Sequence, residues 1–495
     1  MEDWLLYCFF SAMFCLVALS VLFSSSLRPA NGAKPSLPPG PSGLSSVIGP
    51  LIFLGWTSFG IDHSLRRPPW RAASWCSPAR SSSFADRPPA NLATRIFSSD
   101  QHNVTSAPYG PLWRVLRRNL SSRVLHPSCL RRHAAARRRA ASGLVAGVAR
   151  QMIDGVVTVE GLLHHAVFDV FVDMCFGEGL GDGVVASVTA LQREFLTSVV
   201  GFQVLSSSSV VGKILFRRRW KKMLSIRRRQ EDLFLPLIRA RMAQMAAATA
   251  PPPPECYADT LLDLQIPDDD DSGGLRNLRE GEMVSLCSEL LAGGTDSTVA
   301  VMQWTMANLV ARPEIQAKLR DEIRGVTGGG GAAIEEEQLP RMPYLRAVVL
   351  EGLRRHPLGR FMLPHAATED GATLDGGFAV PRNALVNFTL GGMAMDGEVW
   401  PDPGRFRPER FLAGGEGEDV DLTGSREIKM MPFGAGRRIC PGIDAALLHL
   451  QWFVAILVTE FEWSEVPGEP VDFAERQEMS VVMRRPLRAK VVPCS

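Results

Sequence analysis

The strongest constraint on the fold is a long apolar segment with small and polar interruptions, residues 285–310. Its pattern predicts a helix that ends at Ala311-Arg312-Pro313, because proline disfavours helical geometry at the residue before it. Residues 314–324 and 344–355 are predicted to form amphipathic helices. Most of the chain is therefore expected to be helical.

Strand signals are few and short, at residues 379–380 together with 384–387, and at residues 480–484 together with 490–492. Hydrophobic residues make up 46% of the 495 residues, which is enough for a sizeable core. No internal repeat is evident. We expect a single large, mainly α domain with small β-sheets at its edges.

The N-terminus has the character of a membrane anchor. No charged residue occurs from Trp4 to Leu27, and about 20 apolar residues suffice to span a hydrocarbon core. A cleaved signal peptide would begin with basic residues, whereas acidic residues precede this run and basic residues follow it. The sequence predicts a transmembrane anchor at residues 1–27, with the remainder in the cytosol. A Pro-rich hinge at residues 28–50 and a catalytic domain at residues 51–495 would follow.

Charge and cysteine usage exclude some classes of protein. The net charge is only +2, from 54 basic and 52 acidic residues, so no global field points to nucleic acid as a partner. Basic residues cluster at 131–139 and at 217–222, either as solvated helix faces or as a docking surface for an acidic partner. The nine cysteines contain no C-x-x-C spacing, which argues against a zinc ribbon and fits a reduced, cytosol-facing chain.

The most informative stretch for chemistry is the glycine-rich loop at residues 433–442. A thiolate that binds an iron porphyrin needs nearby positive charge, N–H donors, glycines for close approach and a cation for the porphyrin carboxylates. Gly434, Gly436 and Gly442 suit the approach to Cys440, and Arg438 supplies a cation. Taken alone, these residues also fit a buried structural cysteine in a turn before a helix, whereas a phosphate-binding loop would need a G-K-[ST] element.

The pattern F-x-x-G-x-R-x-C-x-G resembles the signature of the cytochrome P-450 haem-thiolate monooxygenases. Its fixed positions are met by Phe433, Gly436, Arg438, Cys440 and Gly442. The resemblance covers nearly the whole chain, is strongest to plant microsomal members and is nearest to their eighty-nine-A branch. It implies the cytochrome P-450 fold and a haem b cofactor. Cys440 would be the iron ligand, with Phe433 and Arg438 in the cofactor-binding loop.

Other residues match the family outside this loop. Trp113 and Arg117 fit a W-x-x-x-R element, and His365 follows Pro364. The resemblance implies that all three of these polar side chains, Trp113, Arg117 and His365, contact the haem propionates.

A carboxylate and a guanidinium, Glu351 and Arg354, are three residues apart in an apolar helical segment. Their apolar surroundings indicate a buried pair that needs a third partner. The resemblance implies that Arg410, from the Pro408-Glu409-Arg410-Phe411 segment, completes a structural triad.

Two adjacent glycines, Gly293 and Gly294, interrupt the long apolar helix at a cost of about 1 kcal/mol each against alanine. They indicate either close packing against another helix or a groove that admits dioxygen and water. The segment resembles the family's A/G-G-x-D/E-T-T element, which implies that Asp296 and Ser297 are catalytic residues for proton delivery. Ser297 stands where the family usually has threonine. Serine keeps the hydroxyl but loses the methyl group that fixes its rotamer, so we expect looser coupling of electrons to product.

The resemblance also implies the reaction and its partners. One atom of O2 would be inserted into a small hydrophobic substrate, with electrons from NADPH through a membrane-bound flavoprotein reductase at the endoplasmic reticulum. No GxGxxG strand–turn–helix unit in this chain would bind the nucleotide itself. The predicted docking surface for the reductase consists of Arg131, Arg132, Arg137 and Arg138.

Between the hinge and Phe84 the family places a helix, a two-stranded β-hairpin and another helix, and residues 66–83 depart from this pattern. This segment has three prolines and no alternating pattern, so it does not predict a central strand pair. Two alternatives to a reductase-dependent monooxygenase follow. One is a catalytically impaired haem-binding protein, and the other is a haem-thiolate isomerase or dehydratase that needs no reductase.

Overall fold

The computed structural model describes residues 83–152, 155–205, 210–247, 255–268, 273–328, 334–369, 372–374 and 378–494. The predicted anchor at residues 1–27, the hinge at residues 28–50 and all but the last residue of the 66–83 segment lie outside this part of the chain.

The described residues form a mainly helical domain with small sheets. Its helices are α1 Leu92–Phe97, α2 Pro111–Arg123, α3 Pro127–Leu130, α4 Ala134–Met152, α5 Val159–Phe176, α6 Asp182–Val199, α7 Val210–Leu215, α8 Arg217–Ala247, α9 Tyr257–Leu262, α10 Glu280–Val310, α11 Pro313–Thr327, α12 Pro343–Arg355, α13 Leu390–Ala394 and α14 Ile443–Glu460. Short 3₁₀ turns include Arg131–His133, Glu336–Arg341, Pro408–Phe411 and Gly436–Arg438.

The strands are two to six residues long. They are β1 Val157–Thr158, β2 Gln265–Pro267, β3 Leu275–Asn277, β4 His365–Ala366, β5 Ala372–Leu374, β6 Phe378–Val380, β7 Leu385–Val386, β8 Phe461–Ser464, β9 Glu475–Gln477, β10 Val481–Met483 and β11 Arg488–Pro493. One sheet has the order β1-β11-β8, and the other described pairs are β9 with β10, β2 with β3, β4 with β7 and β5 with β6.

The predicted helices agree closely with those observed. The long apolar segment is α10, which ends at Val310, and Pro313 begins α11 in the first helical turn, where its missing N–H costs nothing. The four predicted strand segments also form strands, but β6 pairs with β5 and β10 pairs with β9. Alternation within so few residues reveals a strand without revealing its partner.

Helix α10 lies at the centre of the core. It packs against α5, α14, α8 and α12, and its residues from Val299 to Val310 are all buried. Among the described helices, α14 is long and apolar enough to cross a bilayer by length and composition. Of its residues, 56% are buried in the protein, as expected for a core helix that follows the Cys440 loop.

The predicted triad holds α12 to the Pro408–Phe411 turn. Arg354 donates from Nε to Glu351 Oε2 over 2.6 Å and from Nη2 to Oε1 over 2.8 Å. Arg410 Nε lies 3.4 Å from Glu351 Oε1, and all three side chains are fully buried. The structural interpretation of these residues is therefore confirmed.

Candidate active site

The loop before α14 folds back on itself at Cys440. Gly434 and Gly436 adopt positive φ angles of 73° and 69°, which side chains with a Cβ rarely tolerate. The Cys440 N–H donates to the Phe433 carbonyl over 2.8 Å, and the Gly442 N–H donates to the Cys440 sulfur over 3.4 Å. The thiol is thus half-buried at the N-terminus of α14, with a backbone donor directed at it.

Two opposing influences act on this thiol. Burial raises the pKa of Cys440, while the Gly442 N–H and the charge of Arg117 lower it. Burial is the largest of these, so the pKa stays above its ordinary value. The positive charge and donors predicted around the sulfur are present, but they do not by themselves ionise it.

One face of α10 is accessible although the helix is central. Its accessible positions include 289, 292, 293, 296 and 297, whose spacing places them along a single stripe. A Cβ at Gly293 would meet open space, whereas a Cβ at Gly294 would overlap the ring of Phe171 on α5. Gly294 therefore permits close packing, as one interpretation predicted, and Gly293 leaves open space, while a groove that admits dioxygen stays a prediction.

Asp296 and Ser297 lie on this stripe but face different surroundings. Ser297 Oγ donates to the Gly293 carbonyl over 2.8 Å. Asp296 lines a cavity of about 70 Å³ together with Glu160, Arg193 and Glu478, which is room enough for water. Burial raises the pKa of Asp296, a hydrogen bond from Ser480 lowers it, and the charges of Glu478 and Glu160 raise it further.

A positively charged pair lies beside the cysteine loop. Arg117 is close enough to Cys440 for the two charges to interact, and burial lowers the pKa of its guanidinium. Arg438 stacks over the ring of Trp113, 4.5 Å from its centroid. Burial and the nearby charge of Arg87 lower the pKa of Arg438 to about 9.

Comparison with known proteins decides what this loop belongs to. The profile of the family described as Cytochrome P-450 matches residues 78–492, which include the whole of this site. The chain belongs to the cytochrome P-450 family. It is a cytochrome P-450 monooxygenase, and membership implies a haem iron cofactor.

Its relatives include plant proteins. Cytochrome P-450 89A9 from Arabidopsis thaliana is 43% identical over 417 residues, covering 83% of this chain and 80% of the relative. This similarity confirms the resemblance to the eighty-nine-A branch. A flavonoid 3',5'-hydroxylase from Crocosmia x crocosmiiflora is 29% identical, covering 95% of this chain and 93% of the relative.

The solved structures confirm the cytochrome P-450 fold. A zebrafish cytochrome P-450 solved with progesterone superposes with a TM-score of 0.71 at 23% identity, covering 90% of this chain and 99% of that one. At this identity the likeness concerns the fold alone.

The residues present fit a bound haem. Within the described part of the chain the Arg117 guanidinium donates no hydrogen bond, although it is largely desolvated. His365 Nδ1 is also buried without a hydrogen-bond partner. Unsatisfied polar atoms are rare in protein interiors, so His365 Nδ1 indicates a partner such as a propionate, and the partly desolvated cation of Arg117 suits the same anion. Burial, with Arg87 and Arg438 nearby, lowers the pKa of His365 to about 3 against a smaller opposing effect of the Leu363 backbone, so its imidazole is neutral at pH 7.

Arg438 and Trp113 differ from the other two predicted propionate partners. Arg438 donates from Nε to the Ala85 carbonyl and from Nη2 to the Ala107 carbonyl, each over 2.7 Å. Its Nη1 donates to the Val104 carbonyl over 3.3 Å, and the Trp113 indole N–H donates to the same oxygen over 3.2 Å. In this structure their N–H groups therefore hold the backbone of a neighbouring loop.

One predicted docking residue is misplaced. Arg137 is fully buried and donates two hydrogen bonds of 2.7 Å to Glu336, so its assignment to the reductase surface is wrong. Buried positions in α4 recur at 137, 140, 141, 144 and 148, which is the inward face of the helix. Arg131, Arg132 and Arg138 are exposed as predicted.

Three residues near the site were missed from the sequence. Glu289 and Ser480 have no motif that distinguishes them. Arg87 likewise has no motif of its own in the sequence. The one available signal is that Glu289 is an acidic residue in an apolar helix, four positions before Gly293.

Proposed function

We propose that this monooxygenase inserts one atom of O2 into a small apolar molecule, with electrons delivered from NADPH by a flavoprotein reductase. The observation that carries the proposal is a half-buried thiol, Cys440, beside a largely desolvated cation, Arg117, for which the described residues supply no hydrogen-bond acceptor. Haem would supply the oxidising power, and the protein sets its ligand, its surroundings and the orientation of the substrate.

The residues assigned to the cofactor have distinct tasks in this proposal. Cys440 binds the iron, and the Gly442 N–H steadies its sulfur. Arg117 contributes a positive charge to one propionate, and His365 contributes a neutral N–H. Phe433 closes the cysteine loop through its carbonyl. Arg438 and Trp113 would donate hydrogen bonds to the haem carboxylates in addition to those that they donate to backbone carbonyls at residues 104–107.

Asp296 and Ser297 deliver protons to the substrate side of α10. Asp296 belongs to the accessible stripe of α10 and also lines the small cavity formed with Glu160 and Glu478. Its raised pKa makes it easier to protonate than an exposed aspartate, as a proton carrier requires. Water in the outer cavity would return a proton to Asp296, and the Ser297 hydroxyl would pass one inward.

The reductase docks on the face of the molecule next to the cysteine loop. A Cβ at Gly442 would lie 4.0 Å from Leu125 Cδ1. The segment after α2 is therefore close to the Cys440 loop. Arg131, Arg132 and Arg138 on this segment and on α4 are exposed, as is Arg437 in the loop itself. An acidic patch on the reductase would be attracted to these four cations.

The membrane assignment follows from the N-terminal segment. A single anchor at residues 1–27 would hold the catalytic domain on the cytosolic side of the endoplasmic reticulum. This location also gives apolar substrates a short path from the bilayer to the cavity, and it places the chain on the same surface as a membrane-bound reductase.

The absorption spectrum of the ferrous carbon monoxide adduct tests this function. The wild-type protein should give the band typical of thiolate ligation, and Cys440→Ala should lose both that band and most of the bound iron. Cys494→Ala is the matched control, because this half-buried cysteine lies far along the chain and should leave both unchanged. An unaltered spectrum and iron content in Cys440→Ala would disprove the assignment of the ligand.

Reconstitution separates the three functional candidates. Purified protein with reductase should consume NADPH at a rate that rises when an apolar substrate is added. Turnover without NADPH would favour an isomerase or dehydratase instead. Haem binding without any NADPH consumption would favour the impaired protein suggested by residues 66–83.

A further inference from the structure

A short loop between α1 and α2 has its backbone N–H and carbonyl groups hydrogen-bonded to side chains from other parts of the fold. We call residues 103–107 the cavity loop. The Glu289 carboxylate, on α10, accepts the Val104 N–H at Oε2 over 2.9 Å and the Thr105 N–H at Oε1 over 2.6 Å. Two adjacent backbone donors are thus satisfied by one carboxylate, which is a charge-assisted arrangement.

The carbonyls of the same two residues are bonded from the opposite side. The Val104 carbonyl accepts from Arg438 and Trp113, and the Thr105 carbonyl accepts from Arg87 Nε over 2.8 Å. Arg87 also donates from Nη1 to the Pro364 carbonyl over 2.7 Å, directly before His365. Arg87 therefore links the cavity loop to the segment that carries a proposed cofactor residue.

The position of Glu289 on α10 relates this loop to the active site. Glu289 is the first residue of the accessible stripe, four positions before Gly293 and eight before Ser297. At 1.5 Å per residue, its α carbon lies about 6 Å and about 12 Å from theirs along the helix axis. The cavity loop that Glu289 binds is therefore attached at the N-terminal end of the stripe.

The bonds to the cavity loop fall into two sets. Arg438 and Trp113 are also proposed partners of the haem carboxylates, which would compete for the same N–H groups. The bonds from Glu289 and Arg87 involve no residue assigned to the cofactor. They hold Val104 and Thr105 irrespective of how Arg438 and Trp113 divide their donors.

We propose that Glu289 is a positioning residue which, with Arg87, fixes the cavity loop against α10 and thereby controls access of bulky ligands to the cavity. The part of this inference that concerns ligand access rests on the proposed function. The anchoring of the loop does not depend on it. A carboxylate is required because each of its two oxygens accepts from one of two neighbouring N–H groups. An amide has only one acceptor oxygen, and its NH₂ group would face the other N–H.

Hydrogen exchange tests the anchoring in the full-length protein. In Glu289→Gln, an NH₂ group replaces one acceptor, so amides in the peptide covering residues 103–107 should exchange about tenfold faster. Peptides from α14 should be unchanged. The matched control is Glu280→Gln, because Glu280 is on the same helix but is exposed and paired with Arg239. Equal exchange of the cavity loop in the two variants would overturn the anchoring.

Ligand size tests the control of access. Imidazole and 4-phenylimidazole both bind haem iron and shift its visible spectrum, but only the second needs a wide entrance. The association rate of 4-phenylimidazole should rise about tenfold in Glu289→Gln, whereas that of imidazole should remain unchanged, because only the larger ligand waits for the loop to open. Faster exchange of the cavity loop with unchanged association of both ligands would overturn its role in access.

The two tests fail in distinguishable ways. If wild-type protein binds no haem, the proposed function fails, while the exchange comparison still decides the anchoring. If Glu289→Gln does not fold, Arg87→Lys replaces it. This variant keeps the positive charge but loses the fork that reaches both Thr105 and Pro364. It should also speed exchange of the cavity loop selectively, and unchanged exchange would overturn the proposal.

Discussion

Gly294 on α10 lies so close to the ring of Phe171 on α5 that a methyl group in place of its hydrogen would overlap the ring. The neighbouring Gly293 has no such contact and opens onto the accessible stripe. Helices α5 and α10 make the most extensive contact among the described elements, so this one glycine sets how closely the central helix is packed. The pair thus combines a packing requirement with a requirement for open space.

We predict opposite effects of alanine at these two positions. Gly294→Ala should destabilise the fold by about 1–3 kcal/mol, because the added methyl group overpacks the contact with Phe171. Gly293→Ala should stabilise it by up to about 1 kcal/mol through helix propensity, while it narrows the groove. Urea denaturation followed by circular dichroism measures both. Equal changes in the two variants would contradict the distinction between the glycines.

Breaking the buried triad should be costly. Glu351→Gln should lower the free energy of unfolding by about 3–5 kcal/mol, because the buried Arg354 would lose its carboxylate partner and Arg410 would keep only Glu416, at 3.6 Å. The control is Glu409→Gln in the adjacent turn, whose side chain is 44% exposed and pairs with Lys318, and which should cost less than about 1 kcal/mol. Thermal unfolding of the two variants in parallel gives the comparison, and similar costs would count against a buried triad.

Replacing Ser297 with threonine should tighten the coupling of electrons to product. Ser297 Oγ now donates to the Gly293 carbonyl, and its rotamer is not restricted by β-branching. In Ser297→Thr, hydrogen peroxide formed per NADPH consumed should fall. Thr298→Ser, one residue further along α10 with the same type of bond to Gly294, is the control and should leave the ratio unchanged. No decrease in peroxide in Ser297→Thr would dismiss the hypothesis.

A buried histidine should contribute to acid sensitivity. Burial, with Arg137 and His133 nearby, lowers the pKa of His449 from 6.5 to about 3, and neither ring nitrogen has a described hydrogen-bond partner. Below pH 6.5 the unfolded chain therefore binds a proton that the folded chain does not, so the free energy of unfolding falls as the pH drops towards 3. Each such group contributes about 1.4 kcal/mol per pH unit.

Removing this imidazole should flatten the dependence. The site of His449 is flanked by Phe171 and Phe453, so phenylalanine should fit there. In His449→Phe, the difference in bound protons between the unfolded and folded chain, read from the slope of unfolding free energy against pH between about pH 4 and 6, should decrease by about one. His165→Gln, at an exposed position on α5, should leave the slope unchanged. An identical slope in wild type and His449→Phe would show that this histidine does not titrate on unfolding.

Charge reversal should identify the reductase surface. The double variant Arg131→Glu with Arg138→Glu should raise the reductase concentration needed for half-maximal NADPH consumption and flatten its dependence on salt. Arg217→Glu with Arg228→Glu, two exposed positions on α8, makes the same change in net charge elsewhere and is the control. Unaltered kinetics in the first variant would reject this docking surface.

Local patterns in the sequence were sufficient for three helices, the cysteine loop and the Glu351–Arg354 pair, whereas Arg410 came from the resemblance to the family. Residues 285–310 are almost free of charge and end before a proline, so the C-terminal end of α10 follows from a few neighbouring residues, whereas the helix begins five residues before the predicted start, at Glu280. Gly434 and Gly436 mark a turn with positive φ angles for the same local reason. The pairing of the short strands could not be predicted, because β6 and β10 are too short for their pattern to specify a partner.

The sequence by itself determined a mainly helical domain, three of its helices and the position of Cys440 in a glycine-rich loop, since dihedral preferences and side-chain spacing act over a few residues. Only the tertiary structure decided that Arg137 points inward, that Arg438 holds carbonyls at Ala85, Val104 and Ala107, and that Glu289 binds the cavity loop. A buried donor or acceptor takes whichever partner the fold brings within hydrogen-bond distance, and for Arg438 that partner is more than three hundred residues away along the chain.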